Sequence, residues 1–360
     1  MSVLSVIVVI FSILAATDYV IGNKLGLGAE FEKSFTLLGI MALSMIGMIV
    51  IAPLVAELLS PFFDFVYSVF SIDPSVIPAM IFSNDMGGAP LATSVARDAE
   101  IGRWSALVVS SMMGATISYT IPVSLGLVKS ENHRYLLYGL LCGVVTVPIG
   151  CFVSGLMCGI KVGALLINLI PLLLFSLMIG VGLILFPTVC VKIFSGFAYV
   201  IKLLVMLGFS LGIINFLADK PVIAGIATIE EGALICFNAC IVMTGMFPLI
   251  SIASRLLKKP LQAFGSRVGI NEVAALGLIT SLATGTATYG LMNDMNGKGI
   301  TVNAAFAVSG AFTFAAHLAF TMAFDATYLL PVIVGKLISG VAGLILAFLI
   351  FDRFGKEKHT

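Results

Sequence analysis

Two interruptions in apolar sequence carry the residues that could do chemistry. The first, Asn84-Asp85-Met86-Gly87-Gly88-Ala89-Pro90, sits inside the apolar segment 75–96. Its proline and paired glycines weaken a helix and let the backbone come close to a ligand. Asp85 supplies a carboxylate suited to a cation, either a metal ion or an ammonium group, with Asn84 beside it as a hydrogen-bonding partner. The plainer role for Asp85 is to cap the half-helix that follows. The second interruption, Thr284-Gly285-Thr286-Ala287-Thr288 within 272–291, brings hydroxyls rather than charge, and Ser281 stands just ahead of it.

Two further polar residues are conspicuous. His317 lies between Phe314 and Phe320 in the charge-free stretch 299–324. It reads either as a hydrogen-bonded packing residue or as a proton-linked group. Lys336 is well inside another apolar stretch. Near Asp85 the two charges would neutralise each other; paired with Asp325, or snorkelling to the headgroups, Lys336 would leave Asp85 open to a cation. Asp18, Glu57, Glu272 and Lys202 lie close to segment ends and read as interfacial.

The elements that position these residues must lie in a membrane. The chain has 360 residues, 60% apolar and 10% charged, against roughly a quarter charged in a soluble domain. With no basic run longer than Lys258-Lys259, a nucleic-acid partner has no electrostatic support. The six cysteines fall in apolar runs and read as small hydrophobes, with no metal-ligand pattern around them. The stretch 1–17 lacks the basic region of a secretory leader and reads as the first span. Residues 293–299 lack the alternating acids of a calcium loop and read as a turn.

Nine stretches are long and apolar enough to cross: 3–21, 34–56, 104–128, 135–160, 162–191, 203–218, 232–254, 299–324 and 328–351. The two interrupted segments are additional. Unpaired backbone at membrane depth is tolerated only where protein buries it or where it lines a watery cavity. The breaks are therefore the expected site.

The halves of the chain also resemble each other. Ile72-Asp73 through Leu91 aligns without a gap with Ile270-Asn271 through Tyr289, and the same offset sets Tyr119 opposite His317. Two repeats follow. Residues 1–160 form the first, with broken segment 75–96; 161–196 form a connecting span; 197–360 form the second, with broken segment 272–291. Among the 19 Lys and Arg, setting aside Lys202 and Lys336 within spans, the remainder divide ten to seven if both broken segments cross the bilayer. They divide thirteen to four if each returns to its own side, with Arg97, Arg103, Lys161 and Lys220 on the poorer side. The positive-inside tendency favours the second arrangement. The prediction is an all-α integral membrane protein of two inverted repeats, with about nine full spans plus two broken or re-entrant hairpin segments. Its N-terminus is outside and its C-terminus cytoplasmic. Inverted repeats that meet through broken helices near the midplane are a transporter architecture.

No catalytic residue, metal or cofactor is assigned. A membrane enzyme acting on lipid headgroups would need several convergent acids or a nucleophile with its base, and one acid and one histidine in separate segments do not supply them. An ion-coupled transporter of a different small polar solute is the nearer alternative; a carboxylate substrate would want Arg or Lys at the site, and only Lys336 is available. The small-residue pairs Gly139/Gly143, Gly155/Gly159 and Gly208/Gly212 suit helix packing or a homodimer.

Several stretches together resemble a known family. Asn84-Asp85-Met86-Gly87-Gly88, Ser111-Met112-Met113-Gly114-Ala115-Thr116, Ile121-Pro122-Val123-Ser124-Leu125-Gly126, 133–150, 303–312, His317-Leu318 and 331–341 are similar to the EutH family of bacterial ethanolamine utilisation membrane proteins. The break at Ala283-Thr284-Gly285-Thr286 is richer in hydroxyls than that family's pattern. The resemblance implies transport of ethanolamine across the bacterial cytoplasmic membrane. Ethanolamine is a small cation at neutral pH with one ammonium and one hydroxyl. Asp85 and nearby carbonyls at Gly87 and Gly88 would then bind the ammonium, aided by an aromatic face such as Tyr119, Tyr289 or Phe314. The hydroxyl would fall to Asn84, Ser281, Thr284, Thr286 or His317.

Overall fold

The computed structural model of the chain describes residues 3–82, 86–218 and 222–351, and among these it is helical without a strand. The first half contains α1 (Val3–Val20), α2 (Gly28–Phe70), a pair of short helices α3 (Val76–Ile81) and α4 (Ala89–Val95), and then α5 (Ala99–Trp104). The chain from α5 continues through the wide π-helical turns Ser105–Gly114 and Thr116–Thr120 into α6 (Ile121–Leu127), followed by α7 (His133–Met157). Next come α8 (Val162–Leu185), α9 (Pro187–Leu217) and α10 (Ile229–Val268). The second half closes with the pair α11 (Glu272–Ala283) and α12 (Gly285–Leu291), then α13 (Gly297–Gly310), α14 (Ala316–Asp325) and α15 (Leu329–Ile350).

Seven of the described helical stretches are long and apolar enough to cross a membrane: Gly28–Phe70, Ala99–Leu127, Ser130–Met157, Val162–Leu183, Thr188–Leu217, Ile229–Pro260 and Ala316–Ile350. The protein is thus an all-helical, multi-pass membrane protein. Two expected spans differ. Residues 3–21 give a shorter apolar helix, and 299–324 is two helices, α13 and α14, separated by a bend at 311–315. The long helices α2, α9 and α10, of 43, 31 and 40 residues, also extend well beyond the expected 34–56, 203–218 and 232–254, and α8 ends at Leu185, short of the expected 191. Each tolerates two internal prolines, Pro53 and Pro61 in α2 and Pro248 and Pro260 in α10.

Glycines set the closest helix crossings. A Cβ on Gly47 would lie 1.8 Å from the Val205 carbonyl oxygen, so α2 meets α9 backbone to backbone; one on Gly245 would lie 2.1 Å from the Val8 carbonyl oxygen, where α10 meets α1. Gly139 and Gly143 seat α7 on α13, and Gly150 seats it on Gly335 of α15. Gly155 packs on Leu165, Gly208 on Gly47 and Gly212 on Ile229, while Gly159 serves a turn at φ +79°. The small-residue pairs are spent inside the chain, so they lend a homodimer no support.

Each broken segment returns to where it began. The buried Asp73 carboxylate accepts the backbone N–H of Ser75 at the start of the first hairpin and those of Arg97 and Asp98 at its end. The backbone N–H of Asp73 in turn donates to Asn168 on α8 at 2.7 Å. In the second hairpin the Asn271 side chain caps α11 through Ala274 and donates to the Asp294 carbonyl beyond α12. Asn296 caps α13 through Gly299 and donates back to the Gly269 carbonyl. Such caps satisfy helix-end donors that the apolar surroundings would leave costly. Asp18, within a turn of the end of α1, is buried and its carboxylate gathers the N–H groups of Leu25, Leu27 and Gly28.

Candidate functional site

The site builds outward from the break in the second hairpin. At Thr284 the backbone is extended (φ −156°, ψ 123°), so α11 stops and α12 restarts one residue later. The carbonyls of Ser281 and Leu282, freed by that stop, accept the N–H groups of Phe312 and Phe314 at 2.9 and 3.0 Å. These donors exist because the chain between α13 and α14 is itself bent, with Phe312 in the left-handed region at φ +61°. Two interrupted helices thus satisfy each other's backbone. Phe312 in this conformation costs on the order of 1 kcal/mol, and the cross-pairing offsets it.

Side chains converge there from both halves. Phe312 stacks its ring 5.3 Å from that of His317 and 5.5 Å, edge-on, from that of Tyr119. The Tyr119 hydroxyl meets the Thr286 hydroxyl, joining the π-helical stretch of the first half to α12 of the second. Gly285 leaves room for this contact: a Cβ there would stand 3.2 Å from both the Phe312 and the Tyr289 rings. Of the residues expected from sequence, Tyr119, Thr284, Thr286, Ser281 and His317 therefore share one neighbourhood. Thr286 is exposed, Thr284 and Tyr119 half-buried, and Ser281 and His317 buried. The Ser281 hydroxyl donates to the Leu278 carbonyl. Gly87 and Gly88 are buried in the first hairpin, whose short helices pack on the 105–114 stretch and on α2. Asn84 and Asp85 lie outside the described residues.

His317 does not fill the expected role of a hydrogen-bonded packing residue. It is 2% exposed and neither ring nitrogen has a hydrogen-bond partner among the described residues. Lys336 departs from two of its three expected arrangements. It neither pairs with Asp325 nor snorkels: it is fully buried and donates to the Ser111 carbonyl at 2.8 Å, while Asp325 faces Arg103 at 3.4 Å. Lys336 lies within electrostatic reach of His317.

Two hairpins closed at their bases thus stand beside a pair of interrupted helices that satisfy each other's backbone. The family described as "Ethanolamine utilisation protein, EutH" matches residues 1–350. The chain belongs to the EutH family. A relative from Listeria monocytogenes, named "Probable ethanolamine permease EutH", is 38% identical over 98% of this chain and 95% of its own length. One of the same name from Escherichia coli is 32% identical over 91% of this chain and 86% of its own length. "Uncharacterized protein YxeR" of Bacillus subtilis is 36% identical over 92% of this chain and 90% of its own. No solved structure matches. The family relatives that carry a functional name are thus named as probable permeases, not as enzymes, and this chain is a membrane protein of that ethanolamine utilisation permease family.

Sequence reasoning about this EutH-family chain missed Phe312 and the bend around it. The local signal is slight: Gly310 precedes Ala311 and Phe312 without a proline or a polar run. The repeat offset held a better clue. It sets Phe312 opposite Gly114, where the first half widens into π-helical turns, and such turns often sit at functional positions.

Proposed function

We propose that this protein carries protonated ethanolamine across the bacterial cytoplasmic membrane, with the solute held between the two broken segments. The observation that carries this reading is the contact of Tyr119 with Thr286 beside two mutually paired helix breaks, which gathers an aromatic face and hydroxyls from both halves at one place. An ammonium and a hydroxyl two carbons apart ask for that pairing of groups. Asp85, with the backbone carbonyls of Gly87 and Gly88, takes the ammonium in this reading, and Tyr119 lends its ring. Asn84, Ser281, Thr284, Thr286 and His317 are the candidates for the hydroxyl.

The topology belongs to the same proposal. Residues 1–160 and 197–360 act as inverted repeats joined by 161–196, with nine crossings, the N-terminus outside and the C-terminus in the cytoplasm. Support comes from exchange of partners: α2 packs on α9 through Gly47, and α10 packs on α1 through Gly245. The hairpins closed through Asp73 and Asn271 support re-entry from opposite sides. Exchanging the two repeats' conformations would exchange the open side.

Uptake of labelled ethanolamine into liposomes carrying the purified protein tests the reading, at acidic pH where the free amine is scarce and leak is small. Uptake above empty liposomes, strongly reduced in Asp85→Asn, is expected. Uptake equal to empty liposomes overturns the transport reading; full activity of Asp85→Asn overturns only the role of that acid.

A further inference from the structure

Lys336 is a fully buried lysine that the binding reading above leaves unused. Its Nζ rests on the Ser111 carbonyl, 2.8 Å away, in the π-helical stretch 105–114. From the elements packed around it, the titratable groups that face it are His317 of α14 and Cys151 of α7. Helix α13 contributes none at that depth, and at the outer ends of the neighbouring elements Asp325 is held by Arg103. No carboxylate among the described residues pairs with Lys336. Beside it, both nitrogens of His317 and the Ser110 hydroxyl are buried without hydrogen-bond partners among the described residues. Lys336 is thus a tethered, buried cation with polar atoms beside it that no described residue satisfies.

A second cation arriving in this desolvated region meets the ammonium of Lys336, and like charges in low dielectric repel far more strongly than in water. The state of lower energy with a cationic solute bound is the one in which the amine has lost its proton. We propose that Lys336 is the proton-exchange group of this transporter: its N–H bond breaks as the cationic solute settles between the broken segments with its hydroxyl end towards His317, and the amine regains a proton as the solute leaves. The lone pair stays on Nζ, and the proton passes to water on the side from which the solute entered. One cation moves one way for each proton moving the other, so the cycle carries no net charge and the net flux is that of the neutral amine. Lys336 is a coupling residue and touches no solute atom. This inference rests on the proposed transport of a protonated amine.

The test uses the full chain in liposomes with labelled ethanolamine, an external pH near 6 and empty liposomes subtracted. Wild-type protein is expected to accumulate solute when the interior is one pH unit more acidic, towards about tenfold. It is expected to ignore an inside-negative potential of about 60 mV, which would drive the same tenfold if one charge moved. Lys336→Met should keep counterflow exchange at equal pH, lose accumulation driven by the pH difference and gain accumulation driven by voltage. Wild-type accumulation that follows voltage and ignores the pH difference overturns the proposal. So does a Lys336→Met protein active in counterflow that still follows pH and ignores voltage. Should that variant fail to fold, Lys336→Gln, which keeps an N–H donor for the Ser111 carbonyl, is put through the same measurements with the same expected and overturning outcomes. Absence of wild-type counterflow would instead overturn the transport reading itself.

Discussion

The two hairpins align with each other along the sequence at a single offset, yet they are closed by different chemistry. Asp73 closes the first with a single carboxylate that accepts three N–H groups, from Ser75, Arg97 and Asp98, and it is anchored to α8 through Asn168. The second is closed by two neutral amides: Asn271 donates once and accepts once, and Asn296 donates once and accepts from both Gly299 and the Asn271 backbone. Concentrating the closure on one charge makes the first hairpin depend on one side chain. Dividing it between two amides makes the second tolerant of the loss of either. Asp73→Ala should therefore be the more damaging change, by about 2–3 kcal/mol, because three N–H groups, that of Ser75 buried and those of Arg97 and Asp98 partly so, lose a charged acceptor together. Asn271→Ala should cost roughly 1–2 kcal/mol. Apparent melting temperatures of the purified variants in one detergent measure the difference; equal losses would mean that the two closures are equivalent after all.

A second pair of changes asks whether the halves match in packing as well as in order. Gly47 meets the Val205 carbonyl and Gly245 meets the Val8 carbonyl, and both obstacles are backbone rather than the end of a flexible side chain. Gly47→Ala and Gly245→Ala should each destabilise by about 1–3 kcal/mol, the usual cost of overpacking. Similar losses in the same thermal assay support an exchange of partners between α1 with α10 and α2 with α9. A variant that loses nothing would break the correspondence on its side.

Much of this fold could be read from the sequence because the bilayer makes composition decisive. Charge-free stretches located helices α7, α8 and α15 well, since length and apolarity alone settle whether a stretch can span. The hairpins were legible through Gly87, Gly88, Pro90 and the hydroxyl-rich run after Ala283, all poor helix formers. The bend at Phe312 was not, because it is made by tertiary pairing: its N–H finds the Ser281 carbonyl only once α11 has stopped beside it. Lys336 was conspicuous as a residue, but its acceptor is a backbone carbonyl, and sequence patterns mark side-chain partners far better than backbone ones. Of the candidate site, the sequence marked the breaks plus Tyr119 and His317, which share an offset and which the structure brings to either side of Phe312. Their common neighbour Phe312 reads in sequence as one more packing aromatic.

The contact between halves supplies the next comparison. Tyr119→Phe keeps the ring beside Phe312 and removes only the hydroxyl that meets Thr286. Tyr119→Ala removes both. The first should slow ethanolamine uptake by about threefold to tenfold, the value of one ordinary hydrogen bond at about 1 kcal/mol. The second should slow it further, and Thr286→Val should match the first. If Tyr119→Phe is as slow as Tyr119→Ala, the hydroxyl contact carries the whole effect and the ring contributes no cation face.

The smallest effect concerns how the two long helices end. Both α2 and α10 finish in a residue of left-handed backbone, Ser71 at φ 55° and Gly269 at φ +80°. The same offset of the repeats sets these residues opposite each other, just before Asp73 and Asn271. Glycine takes this conformation without a Cβ clash, whereas serine takes it against its preference. Ser71 is exposed and its backbone N–H already caps the Tyr67 carbonyl, so nothing besides the side chain changes when it is replaced. Ser71→Gly should raise stability by about 0.5–1 kcal/mol, and Gly269→Ala should lower it by a similar amount. Opposite shifts in melting temperature would show that the two helix ends are one structural solution, met by the better residue in only one half. Shifts of the same sign would mean that the serine side chain helps to hold the first hairpin in a way its partner does not need.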